Sequence, residues 1–80
     1  MFYVYIIRSE PRPDQTYIGF TEDVRQRLAI HNRNGSRHTA KFSPRRLEFY
    51  CAFKQKRKAL AFERYLKSHS GKAFANKRLL

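Results

Sequence analysis

Six acids in 80 residues, Glu10, Asp14, Glu22, Asp23, Glu48 and Glu63, limit the chemistry this chain can carry out. Glu10 and Asp14 sit among turn residues, Glu22 and Asp23 suit a helix N-terminus, and Glu48 can face solvent from a strand. Glu63 is different, because it shares helical spacing with Ala59, Phe62 and Leu66 and so lies on or beside an apolar stripe. An unpaired carboxylate there is costly to desolvate. Glu63 therefore either pairs with a cation, reaches water at the edge of the stripe, or has a functional role. One carboxylate cannot make the acid/base pair of a glycosidase, but it can anchor a hard cation that keeps its waters.

The tyrosines form a second group. Tyr3 and Tyr5 share one face of a strand, and Tyr17 shares a face with Gly19. Strand propensity alone accounts for any single tyrosine. A glycine inside so short a strand is expected where another group must approach closely. Arg27 and His31 are four apart on a helix and so neighbours on its surface. His38 reads as a polar loop residue and Cys51 as a core-facing strand residue.

These side chains need elements to hold them. Phe2 to Ile7 is a β-prone run, closed by the loop residues of SEPRPD, and Thr16 to Phe20 is a second run, so the two predict an antiparallel hairpin. Thr21, followed by Glu22 and Asp23, predicts a cap for a helix bearing Val24, Leu28 and His31 and ending near Asn34-Gly35. RNGSRHTAKFSPRR reads as a loop. Leu47, Phe49, Cys51 and Phe53 alternate with Glu48, Tyr50 and Ala52, which predicts a third strand over 46–54 with the first four on its buried face. Lys56 to Ser68 reads as a helix, and Ser70-Gly71 as an interruption before a short basic helix over 72–79. The expected fold is a single α/β (α+β) domain over 1–80, with a three-stranded antiparallel sheet flanked by helices in the order ββαβαα.

The charge balance is 18 basic residues against 6 acidic, a net charge of +12. Apolar residues make up 41% and aromatics 15%, too many for a disordered basic tail. A domain this small buries only about 60–65% of its unfolded surface, so the self-repulsion of twelve positive charges is best explained by a polyanionic partner. The single cysteine excludes an internal disulfide or a multi-cysteine zinc site. No run approaches the roughly 18 apolar residues of a membrane span, and MFYVYIIRSE lacks the features of a signal peptide, so no membrane association and a cytoplasmic location are expected. Basic residues cluster at Arg33, Arg37, Lys41, Arg45 and Arg46, at Lys54, Lys56, Arg57 and Lys58, and at Lys72, Lys77 and Arg78. No recognition helix for reading base edges is evident, which points to recognition of a nucleic acid's structure over its sequence.

Tyr3-Val4-Tyr5 followed by Tyr17-Ile18-Gly19 resembles the paired motifs of the GIY-YIG nuclease domain, with only the final tyrosine of the first motif retained. The continuation is similar too: Gly19 to Leu28 with Arg27, then His31-Asn32, and Glu63 within ALAFERYLK. The tail SHSGKAFANKRL resembles small stand-alone bacterial members similar to the catalytic domain of the excision-repair incision subunit. The resemblance spans practically the whole chain. It implies a DNA endonuclease, in repair or recombination, with Tyr5, Tyr17, Arg27, His31 and Glu63 as catalytic residues. It also implies Glu63 as the metal anchor for one Mg²⁺ or Mn²⁺, with Gly19 and Asn76 shaping the site. The general base is Tyr5, Tyr17 or His31, and residue chemistry leaves the three open. Arg8, Arg37, Lys41, Arg45, Arg46, Lys54, Lys56, Arg57, Lys58 and Lys72 are expected on the DNA backbone, with a protein partner supplying targeting. The alternative is a nucleic-acid-binding module that keeps the fold without turnover.

Overall fold

A computed structural model describes residues 1–33 and 42–80. The chain runs β1 (Phe2–Ser9), β2 (Thr16–Thr21), α1 (Val24–Arg33), β3 (Arg45–Phe53), α2 (Lys56–Lys67) and α3 (His69–Arg78). The expected ββαβαα order and three-stranded antiparallel sheet are therefore the fold. The most apolar strand, β1, lies in the middle of the order β2-β1-β3, and Val4 to Ile7 are all buried because both faces of the central strand are covered.

The sheet's two faces have different work. Val4 and Ile6 of β1 pack with Ala59 and Leu66 of α2 and Ala75 of α3, and Ile18, Phe20, Phe49, Cys51, Phe53, Phe62 and Leu79 close around them. This is the core. The opposite face presents Tyr3 and Tyr5 toward the side of α1, whose residues include none that is fully buried. That helix serves as a carrier for polar side chains more than as a core element.

Four local expectations need correction. Leu47 does not continue the buried alternation of Phe49 and Cys51. Ile6 pairs with Phe49 but Ile7 with Leu47, so Glu48 is an extra residue and the pattern slips by one. Leu47 instead lines a concavity with Tyr3, Val24, Leu28 and Tyr50 on the α1 side. Glu48 does not simply face solvent, since Arg8 Nε (3.1 Å) and Arg46 Nε (2.9 Å) both donate to its Oε1. These arginines hold its carboxyl below the ordinary carboxylate value.

At the helix starts, Asp23 and not Thr21 caps α1, because Gln26 N–H donates to Asp23 Oδ1 at 3.0 Å. Thr21 Oγ1 supports the cap by accepting from Asp23 N–H at 3.1 Å. The break between α2 and α3 falls at Ser68, whose Oγ accepts from Gly71 N–H at 3.1 Å. Gly71 lies inside α3 because a Cβ there would collide with the Tyr65 carbonyl and stand 2.7 Å from Leu66 Cα. Close approach of the two helices, not a break, is what that glycine permits.

Candidate active site

Tyr5 is the centre of the arrangement. On β1 it pairs across the sheet with Gly19 on one side and Tyr50 on the other, and it is 3% exposed. A Cβ at position 19 would strike the Tyr5 hydroxyl and stand 2.8 Å from its ring Cε1. The glycine of β2 is thus the gap into which the Tyr5 ring folds. Tyr17, two residues before it and 45% exposed, has its ring centre 6.3 Å from that of Tyr5.

The last turns of α1 add His31. Its ring centre lies 4.9 Å from Tyr17 and 6.0 Å, edge-on, from Tyr5. His31 Nε2 and Tyr5 Oη are hydrogen-bonded at 3.0 Å. On the other side of the ring, Arg45 Nη1 donates to His31 Nδ1 at 3.1 Å. Burial, followed by the positive charges of Arg45 and Arg27, pushes His31 below its ordinary 6.5. Burial also pushes the Tyr5 phenol up to about 12, with Tyr17 and Glu63 acting in the same direction and Arg27 and Arg45 opposing them.

Glu63 comes from α2, which packs against β1 and β2. Its side chain is 19% exposed and its Oε2 accepts from Lys67 Nζ, one turn on, at 3.1 Å. The acid on the apolar stripe is therefore paired, by a lysine, and is close enough to Tyr5 to act on its ionisation. Among the described residues no group of three His, Cys, Asp or Glu gathers. A single partly exposed carboxylate fits a hard cation that binds through oxygen and retains several waters; it does not fit zinc.

The structure thus brings Tyr5, Tyr17, Gly19 and His31 into contact and sets Arg27 and Glu63 within electrostatic reach of Tyr5. Asn76, on α3, is outside that contact group. It is exposed and lines a concavity of about 520 Å³ with Tyr17, Ile18, Lys67 and Lys72. A second concavity of about 460 Å³ lies on the other flank, against Tyr3, Arg25 and Tyr50. Of the expected backbone-gripping residues, Lys54, Lys56, Arg57, Lys58 and Lys72 are exposed, whereas Arg8 and Arg46 are engaged by Glu48. Arg37, Lys41 and His38 lie outside the described residues.

Two residues have a place here that their sequence context did not give them. Arg45 read as a basic loop residue expected on the DNA backbone, whereas its guanidinium is directed at His31, and Asn32 read only as the neighbour of His31. Asn32 Nδ2 donates to Arg45 O at 3.0 Å and Arg45 N–H donates to Asn32 Oδ1 at 2.7 Å. No spacing signal marks the pair, because it depends on β3 returning beside the end of α1.

The GIY-YIG catalytic domain matches residues 1–78. The chain is 39% identical over 66 residues to a UPF0213 protein of Streptococcus pneumoniae serotype 4, covering 81% of this chain and 65% of that protein. It is 44% identical over 52 residues to a UPF0213 protein of Lacticaseibacillus paracasei, covering 64% of this chain and 58% of that one. A UPF0213 protein of Clostridium perfringens is 32% identical over 68 residues, 84% of this chain and 71% of its own length. Against the first of these relatives the chain spans just under two thirds of the length. No solved structure matches.

Proposed function

The chain belongs to the GIY-YIG catalytic-domain family, which implies nuclease activity, and on that footing we propose that it is a DNA endonuclease using one divalent cation, Mg²⁺ or Mn²⁺, held by Glu63. The observation that carries this reading is the Tyr5–His31 hydrogen bond, seated over Gly19 and facing Arg27, Arg45 and Glu63. A buried phenol, an imidazole, two guanidiniums and one carboxylate can together move a proton, stabilise phosphoryl charge and hold a cation, the tasks that phosphodiester hydrolysis sets.

Each side chain has a physical task. Arg27 stabilises the negative charge that grows on the phosphoryl oxygens, a contribution of about 10²–10³ in rate for one such donor. Tyr5 and His31 handle the proton released by the attacking water. At pH 7 a phenol with its pKa near 12 is ionised to about one part in 10⁵, so Tyr5 works only with cationic help. Tyr17 packs its ring against that of His31. A bound cation supplies Lewis-acid stabilisation of the phosphoryl and leaving oxygens. Lys67 already contacts Oε2 of the Glu63 carboxylate and would compete with the cation for it.

DNA grip falls to the exposed cations. Lys56, Arg57 and Lys58 open α2 with no acid in its first turn, placing three positive charges at the positive end of the helix dipole. Phosphate relieves that concentration of charge. Structure-dependent recognition, a role in repair or recombination in the cytoplasm, and a partner protein that supplies targeting complete the reading. Among the described residues no helix is long and apolar enough to cross a membrane.

The test is incubation of the purified chain with plasmid, flap and branched DNA, with Mg²⁺, with Mn²⁺ and with a chelator. Cleavage that needs the metal is expected. Binding without cleavage of any substrate would favour the module that keeps the fold without turnover.

A further inference from the structure

We infer that Arg45 and Asn32 are positioning residues that fix the single proton of His31 on Nε2, so that His31 acts toward Tyr5 as a hydrogen-bond donor and not as a proton acceptor. The consequence for catalysis rests on the nuclease reading; the placement of the proton does not.

A neutral imidazole has one N–H and one lone pair, and a guanidinium has donors only. Arg45 Nη1 stands 3.1 Å from His31 Nδ1, so Nδ1 must be the accepting nitrogen. The proton is then on Nε2, 3.0 Å from Tyr5 Oη, and the phenol oxygen accepts it. Protonating both nitrogens would set an N–H against the guanidinium. Of the groups that face the pair, Arg45 and Arg27 are cations that act against that state, Tyr5 and Tyr17 contribute phenol rings, and the Glu63 carboxylate acts on Tyr5 from α2.

Arg45 is itself held from two sides. The carboxamide of Asn32 takes both its backbone N–H and its carbonyl, at 2.7 and 3.0 Å, bridging the last turn of α1 to the first residue of β3. Its guanidinium carbon lies 5.8 Å from the centre of the Phe42 ring. Asn32 adjoins His31 in sequence, so one clamp sets both the imidazole and the guanidinium that addresses it. Asn32 is exposed and contributes nothing to the core, which leaves the clamp as its structural role.

This arrangement chooses between two proton routes. In a relay, the attacking water forms the O–P bond, gives its proton to Tyr5, and Tyr5 passes its own proton to His31 Nε2. That route needs a lone pair on Nε2. With Nε2 protonated the relay is closed, and Tyr5 must first lose its proton to solvent. The phenolate, stabilised by Nε2–H, Arg27 and Arg45, then takes the proton of the attacking water as that oxygen bonds to phosphorus, while the P–O bond to the leaving oxygen breaks and the leaving oxygen takes its proton from solvent.

The test is long-range ¹H–¹⁵N correlation spectroscopy of the labelled full chain above the titration of His31. In the wild type, His31 Nδ1 should resonate as an unprotonated nitrogen and Nε2 as a protonated one. Arg45→Lys, which retains a pure donor, should keep that pattern. Arg45→Met and Asn32→Ala should shift Nδ1 toward the protonated position, with the backbone amide spectrum reporting that the fold persists. Should either variant fail to fold, Arg45→Gln, whose carboxamide can accept from Nδ1–H, should show the same shift. An Nδ1–H form in the wild type, or an unchanged pattern in every folded variant, overturns the inference. None of this needs DNA cleavage, so a failed nuclease reading is separately visible. If the chain does cleave DNA, the wild-type rate should rise about tenfold per pH unit through neutrality. A plateau above the His31 titration would overturn the closed relay and leave the nuclease reading standing.

Discussion

Gly19 and Tyr5 face each other across β1 and β2 so closely that the phenol occupies the space a side chain at position 19 would need. The hydroxyl that meets His31 is therefore aimed from beneath by an absent Cβ. Gly19→Ala must displace the ring, since the atoms struck belong to a buried tyrosine and not to a free side-chain end. Overpacking of this kind costs about 1–3 kcal/mol, and misplacement of the hydroxyl by about 1 Å is expected to lower cleavage about 10²-fold. A denaturant midpoint and a single-turnover rate check both; an alanine variant with full activity would remove Tyr5 from the centre of the site.

Stability should depend on pH at both ends for identified reasons. His31 has a folded pKa below 6.5, so the unfolded chain binds more protons between the two values. The stability due to neutral His31 is present above 6.5 and is lost as the pH falls through the folded value. Tyr5 is raised from 10.0 to about 12, so its contribution is full below 10 and is lost as the pH rises toward 12. A plateau between those limits is expected in urea midpoints measured across pH. His31→Gln should flatten the limb just below 6.5, and an unaltered limb in that variant would assign it to another group.

Lys67 holds the carboxylate that is proposed to take the cation. A half-exposed i,i+4 pair is worth only about 0.3–0.5 kcal/mol, so the lysine is a weak competitor and not a block. Lys67→Met should lower the Mg²⁺ concentration for half-maximal cleavage by about twofold. A strongly raised requirement would mean that Lys67 assists the metal or the phosphate instead.

Binding should be dominated by phosphate contacts. If about five phosphates are neutralised, log K should fall against log salt with a slope of about −4.5. Neutralising Lys56, Arg57 and Lys58 together should reduce that slope by about 2.7 and weaken duplexes of different sequence alike. A variant that loses affinity for some sequences only would show that α2 reads bases.

The residue order made much of the fold legible, because β-prone runs, a period-two strand and a helical stripe each point to one element. It did not show the extra residue at Glu48, which moves Leu47 to the α1 side and gives Arg8 and Arg46 a common partner. Asp23 displaced Thr21 as cap, and Gly71 proved to be a point of close approach within a helix. Gly19 was readable as a place of close approach, and the Tyr5 ring is what approaches. Arg45 and Asn32 were not readable as partners of His31, since residues 13 and 14 positions apart meet only through the return of β3. Such relations come from tertiary structure and leave no periodic trace.

The most direct measurement compares wild type with Glu63→Gln on one branched DNA in Mg²⁺, following binding and cleavage together. Glutamine keeps the size and removes the charge that holds the cation, on a side chain only 19% exposed. DNA affinity within about twofold of wild type, with metal-dependent cleavage lowered by about 10³ or more, is expected if Glu63 anchors the ion. Equal cleavage by the two proteins would contradict that role and with it the one-cation site.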